Sequence, residues 1–281
     1  MLVIPVGAQS APLSIAYGRS WPRSIAIDAT DGLVYVDGVS GIYPTTGFSF
    51  GIVNATTHTL ARVFPLNVTA GDLALDPKSG NVFVGGADSI VEFDASSQSF
   101  TKVMSLGIPV FSLAYDSATG YLFVTSGSEV YQVDPATGER LRNATVGPAA
   151  EGIAIDSASG RVYASSYLSS SVSVFDAATL DRVARIVLPS PCFPGDMAID
   201  TSSRRIYTTT GTNGVDVIDT GTNEFVRSVL VAPLETNSTF ALALDAEIGL
   251  LYVLANPGDR IQEVDLSSMS VRGTLTLASA A

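Results

Sequence analysis

The feature that most constrains this chain is one phrase, SIAIDATDGLVYV at residues 24–36, that returns five more times. DLALDPKSGNVFV begins at Asp72, SLAYDSATGYLFV at Ser112, GIAIDSASGRVYA at Gly152, DMAIDTSSRRIYT at Asp196 and ALALDAEIGLLYV at Ala241. Each copy reads as a strand, an Asp-led turn and a second strand, and a fixed period of this kind decides the architecture before any single residue does. The leading aspartates, Asp28, Asp76, Asp116, Asp156, Asp200 and Asp245, lie 48, 40, 40, 44 and 45 residues apart. Each interval holds four short strand patterns, here named a to d. Four strands in about 40 residues is the blade of a β-propeller. The expectation is an all-β, six-bladed β-propeller of four-stranded antiparallel blades, with seven blades as the alternative if the N-terminal strands close one more. Residues 1–18 read as an N-terminal extension and possible extra edge strand, and residues 19–281 as a single propeller domain.

The turns have a physical logic. Between strands a and b an Asp side chain accepts backbone N–H bonds two residues on, and a Gly four residues later supplies positive φ. Gly32, Gly80, Gly120, Gly160 and Gly249 fit. Arg204 departs from the pattern and predicts a strained turn. Between strands c and d every copy begins with Asn54 or an Asp (Asp94, Asp134, Asp176, Asp219, Asp265) and has Ser or Thr three residues later, a second capped turn. Strand a carries Ala at one position throughout, Ala26, Ala74, Ala114, Ala154, Ala198 and Ala243, so alternation puts a small residue on one blade face and large apolar residues on the other.

Composition narrows function. Hydrophobic residues make up 46%, enough for a sizeable core, whereas charged residues are only 15% and lysines only two. That leaves a surface of Ser, Thr, Gly and Asn, common in exported proteins. The net charge of −12 disfavours phosphate-backbone recognition. Eleven of the 27 acidic residues occupy the repeated turns, and the remaining 16 nearly balance the 15 basic ones, so the excess is mostly turn chemistry. A lone Cys192 excludes an internal disulfide and a Cys-based metal site. Sequons at Asn54, Asn67, Asn143 and Asn237 are possible N-glycosylation sites if the chain is exported by a suitable host. No apolar run approaches bilayer length, and residues 1–18 lack the pattern of a signal peptide, so the chain reads as a mature form or as a domain of something larger.

The combination DSASGRVYASS and VSVFDAAT, that is Asp-x-x-x-Gly-x-x-aromatic followed by a strand ending in Asp-x-x-Thr, resembles the YVTN-type β-propeller repeats of surface-layer and exported proteins. The tetrapeptide itself is replaced by YVDG, FVGG, FVTS, YASS, YTTT and YVLA. The resemblance implies a secreted or cell-surface protein that meets a protein or a cell-surface glycan.

Antiparallel pairing puts the regular a-to-b and c-to-d turns at one end of each blade and the irregular connections at the other. The length differences all fall at the second end: 37–49, 189–195 and 232–239. Rigid scaffolds house binding in such loops. The candidate ligand residues there are Trp21, Arg23, Tyr43, Asp72, Phe111, Glu151, Phe193, Asp196 and Phe240, a mixture suited to a sugar, a peptide or a cation. No catalytic set is legible: the one histidine, His58, falls in a regular turn, and Cys192 lacks a basic neighbour. The reading is a non-enzymatic adhesion, scaffold or interaction module without cofactor, nucleic acid or membrane insertion. The alternative is a lyase or lactonase-like propeller using a channel-bound cation, with calcium on Asp72, Glu151 and Asp196 as the conceivable form.

Overall fold

The computed structural model describes residues 2–4, 13–15, 20–28, 30–40, 47–54, 57, 59–69, 71–189, 192–211, 214–231, 239–255 and 260–276. They form six four-stranded antiparallel sheets and one two-stranded sheet, and the chain is an all-β, six-bladed β-propeller. The small sheet pairs β1 (Leu2–Ile4) with β2 (Leu13–Ile15), and neither strand joins a blade. Blade 1 is β3 (Ser20–Asp28), β4 (Leu33–Ser40), β5 (Gly47–Asn54) and β6 (Thr59–Leu66). Blade 2 is β7 (Leu73–Leu75), β8 (Val82–Gly85), β9 (Ser89–Asp94) and β10 (Ser99–Ser105). Blade 3 is β11 (Ser112–Asp116), β12 (Tyr121–Ser126), β13 (Glu129–Val133) and β14 (Arg140–Thr145). Blade 4 is β15 (Ala150–Asp156), β16 (Arg161–Ser166), β17 (Ser171–Asp176) and β18 (Arg182–Val187). Blade 5 is β19 (Met197–Asp200), β20 (Arg205–Thr209), β21 (Gly214–Asp219) and β22 (Glu224–Leu230). Blade 6 is β23 (Thr239–Asp245), β24 (Leu250–Ala255), β25 (Arg260–Asp265) and β26 (Ser270–Thr276). Two compact units share the chain, Met1–Val124 with Val133–Arg140 and Thr125–Gln132 with Leu141–Ser279, and the division falls in blade 3.

Every turn aspartate does what its position implies. Asp28 accepts from the amides of Thr30 and Asp31 at 2.9 and 3.2 Å, and Asp200 from Ser202 and Ser203 at 2.9 and 3.2 Å. At the c-to-d turns Asp94 accepts from Ser96 and Ser97, and Asp265 from Ser267 and Ser268. The turn glycines have φ between 64° and 77°, and Arg204 takes the same conformation at 56°. Left-handed backbone costs a non-Gly residue about 1–2 kcal/mol, so the strain expected at Arg204 is present. A second left-handed position escaped the sequence reading because glycine occupies it only once: the fifth residue of the c-to-d turn, at Gln98, Gly138, Leu180, Asn223 and Met269.

These bonds have a pH consequence. The Ser96 hydroxyl holds Asp94 below the ordinary value of 3.8, the Thr179 amide does so for Asp176, and the Ser267 hydroxyl draws Asp265 down to about 2. A carboxylate depressed in the folded state stabilises above its unfolded pKa, and that contribution disappears as pH falls through the folded value. Melting temperature is therefore expected to drop between pH 3.8 and about 2, measured by circular dichroism at constant ionic strength. A flat profile across that window would remove the carboxylate caps from the stability account.

Packing is a series of seams between neighbouring blades. In the first unit Tyr35, Phe50, Phe64, Phe93 and Phe100 interlock between blades 1 and 2, with the Phe50 and Phe93 ring centroids 4.8 Å apart. In the second unit Val172, Val174, Ile186, Met197, Ile206 and Ile218 join blades 4 and 5. Burying each large side chain contributes roughly 1.5–3 kcal/mol, so stability is a sum over seams. Of the strand-a alanines, Ala26, Ala74 and Ala154 are buried.

The outermost strands are exposed edges, and they are blunted. In blades 1, 2, 4, 5 and 6 a β-bulge falls at one equivalent position, Ala61, Thr101, Val183, Val226 and Arg272. The next residue in register is Arg62, Lys102, Ala184, Arg227 or Gly273, with Arg142 in blade 3. Bulges and cationic side chains both discourage edge-to-edge strand addition.

Candidate functional site

The irregular end of the blades is built differently from the loops that the sequence suggests. The stretch expected as a 37–49 excursion is largely a longer hairpin, since β4 and β5 stay paired as far as Ser40 opposite Gly47. Trp21 lies inside β3 opposite Val39. Tyr43 lies outside the described residues. Arg23, Glu151 and Phe240 share one feature: each sits at a β-bulge at the entrance to strand a. Bulges re-aim side chains and terminate regular pairing. Phe111 is exposed in the loop before β11.

The carboxylates have a scaffold use. Asp72 accepts from the Ser24 hydroxyl at 2.7 Å, the Ser112 hydroxyl at 2.6 Å, the Leu73 amide at 2.8 Å and the Leu113 amide at 2.9 Å. It thereby fastens the inner strands of blades 1, 2 and 3 together. Asp196 does the same between blades 5 and 6, accepting from the Met197 amide at 2.8 Å and the Leu242 amide at 2.7 Å. Blades 3 and 4 reach the same end from the neighbouring strand. Thr125 donates to the Glu151 carbonyl at 2.5 Å, and Ser165 accepts from the Gly152 amide at 2.8 Å while donating to the Gly195 carbonyl at 3.0 Å. Asp37, at the same strand-b position in blade 1, accepts from the Ser24 amide at 2.8 Å. The sequence signal for this latch was available: Asp37, Thr125, Ser165 and Thr209 put a polar residue at the fifth position of strand b, where burial favours an apolar one.

One cluster in the second unit has the attributes of a contact surface. The b-to-c turn of blade 4 forms a 3-10 turn at Tyr167–Ser169. The Tyr167 amide donates to the Ala149 carbonyl at 2.8 Å, and the Ser166 hydroxyl to the Pro148 carbonyl at 2.7 Å. Ser170 donates its hydroxyl to the Cys192 carbonyl, and the Phe193 amide donates to the Thr210 carbonyl at 2.8 Å. These bonds hold the Tyr167 and Phe193 rings 5.0 Å apart, tilted by 30°. The result is a fixed shelf on which Tyr167 is 37% and Leu168 64% exposed. Among the described residues seven non-Gly residues have positive φ; five belong to the regular turns, and the other two, Ala149 at 53° and Ser170 at 46°, flank this shelf. Strain of this kind persists where the surroundings over-determine it, often at ligand contacts. Two residues beyond Ala149, burial pushes the Glu151 carboxyl above its ordinary range. Among the sequence candidates, Phe193 is thus part of the shelf and Glu151 lies beside it in the chain. Tyr167 and Leu168 were missed, because their turn is no longer than the b-to-c connections of blades 5 and 6.

Cys192 is buried beneath the same loop, its thiol donating to Asp216 at 3.2 Å, and Asp216 also accepts from the Ser228 hydroxyl at 2.6 Å. Burial and the Asp216 charge push the thiol well above its usual value, leaving it unreactive. His58 and Asn237 lie outside the described residues. Asn67 and Asn143 are exposed on the surface, whereas the Asn54 side chain caps its own turn through the Thr57 amide. Among the described residues no three His, Cys, Asp or Glu side chains gather as a metal set, and no helix is long and apolar enough to cross a membrane.

At the regular end, two clefts repeat one construction. The cleft between blades 2 and 3 is lined by Asp76, Asn81, Glu92, Lys102 and Tyr115. Its counterpart between blades 5 and 6 has a volume of about 290 Å³.

No protein-family model and no curated protein matches this chain.

Proposed function

We propose that this propeller is a non-enzymatic interaction module of the YVTN-repeat type, exported or displayed at a cell surface, that meets a protein or glycan partner through the irregular end of its blades. The observation that carries this reading is the shelf of Tyr167, Leu168 and Phe193, a partly exposed aromatic and aliphatic surface held by backbone bonds and flanked by two strained residues. Aromatic rings backed by a rigid scaffold suit both sugar stacking and protein contact, because they supply area with little conformational entropy to lose. The Ser- and Thr-rich, lysine-poor sequence and the likeness of its repeats to exported propellers support the extracellular setting.

The test pairs glycan-array and cell-binding assays of the intact chain with the double variant Tyr167→Ala, Leu168→Ser. Binding is expected to fall at least about tenfold, the loss of one or two interface anchors, with the melting temperature unchanged. Binding that survives in this variant would refute the assignment of the shelf.

A further inference from the structure

The geometry points to a carboxylate-binding site in the cleft between blades 5 and 6, recognising an acid on a short aliphatic stem. The argument rests on what the same cleft contains elsewhere in the repeat. Between blades 2 and 3, Lys102 stands opposite Glu92 and reaches across to the Pro135 and Ala136 carbonyls at 2.9 and 2.6 Å. That side chain crosses the cleft, and its ammonium is satisfied by the two carbonyls. Blade 3 solves the same problem with Arg142, which donates to Gln132 at 2.8 Å while Gln132 donates to the Ala177 carbonyl of blade 4 at 3.0 Å.

In blade 5 the equivalent cation is Arg227, and the residue opposite it is Val217 in place of Glu92. The Arg227 side chain makes no hydrogen bond or ion pair among the described residues. The other charges in the cleft are accounted for. Arg205 pairs with Asp219, and Asp200 is buried with its oxygens taken by the hydroxyls and amides of Ser202 and Ser203. One solvent-exposed guanidinium with no protein partner among the described residues therefore borders a cleft whose other wall is Val217, Val226, Leu266 and Met269. Guanidinium binds carboxylate in a two-pronged, charge-assisted arrangement, and the aliphatic wall provides for a stem. Blade 1 pairs Arg62 with Ile52 in the same way, but Leu33 stands there in place of Arg205, so the Arg205–Asp219 ion pair of this cleft has no counterpart. This site lies at the opposite end of the blade from the shelf and does not depend on it.

Two sources supply such an acid, a free short-chain carboxylic acid or a glutamate side chain of a peptide. With methyl-13C methionine, Met269 reports on this cleft and Met104, beside the blade 3 turn, serves as an internal control. Titration with butyrate is expected to shift the Met269 resonance saturably, to leave Met104 in place, and to fail with neutral butyramide. Arg227→Met should abolish the shift, while unchanged Met104 and Met197 resonances show that the variant is folded. A parallel titration with a Gly-Glu-Gly peptide blocked at both ends assigns the source: tighter binding than butyrate marks a peptide site, and weaker binding marks a free acid. Equal shifts from butyramide, a shift that survives Arg227→Met, or no response to butyrate and peptide alike would overturn the proposal.

Discussion

Replacing Asp72 with alanine is expected to cost about 3 kcal/mol, or roughly 6–10 °C in Tm, because the amides of Leu73 and Leu113 and two serine hydroxyls lose one shared acceptor. The cost is large because the loss is asymmetric. The carboxylate goes, but the strand entrances it served stay folded against their neighbours with donors left unmatched. Asp72→Asn retains one acceptor oxygen and should recover about half of the difference. Urea denaturation of the two variants checks this, and an alanine variant within 1 kcal/mol of the parent would mean that water replaces the carboxylate.

The second large effect is expected at Gly152, which occupies in blade 4 the register position that Asp72 occupies in blade 2. A Cβ there would lie 2.1 Å from the Gly195 carbonyl oxygen and 3.0 Å from its carbon. Both are backbone atoms, so no side chain can swing aside. Gly152→Ala should therefore destabilise by about 3 kcal/mol or more, the upper range of overpacking, read as a lower urea midpoint with an unchanged slope. A midpoint within error of the parent would show that the two inner strands separate at little cost.

These two positions show where the sequence was legible and where it was not. The blade count and all twelve turns were readable because Asp28, Gly32, Asp94 and their counterparts act through local bonds, within four residues of themselves. The seam was readable only as a set of polar residues at the fifth position of strand b, not as bonds, because Asp72 acts on Leu113 and Ser165 on Gly195, partners 41 and 30 residues away. Asp72 and Asp196 stand out in composition as acids near an irregular end, which is also how a ligand site would look. The bond partners decide between the two. The shelf illustrates the complementary difficulty: Phe193 was visible in an irregular loop, but Tyr167 and Leu168 project because their turn is tied to Pro148 and Ala149, a relation that no local pattern encodes.

The latch also bears on how such a chain can be rearranged by duplication. The carboxylate solution in blade 2 comes with Gly85 at the strand-b position, whereas the hydroxyl solution in blade 4 comes with Gly152 at the strand-a position. Each half of a latch is useful only beside its partner in the adjoining blade. The hydroxyl joint runs from strand b of one blade to the entrance of strand a in the next, so a segment cut between strands a and b carries it whole, whereas the Asp72 joint ties strand a of three successive blades and no segment of one blade's length carries it. A cut between strands a and b should therefore be tolerated around blades 4 and 5, while Asp72 is expected to move only together with strand a of blades 1 and 3.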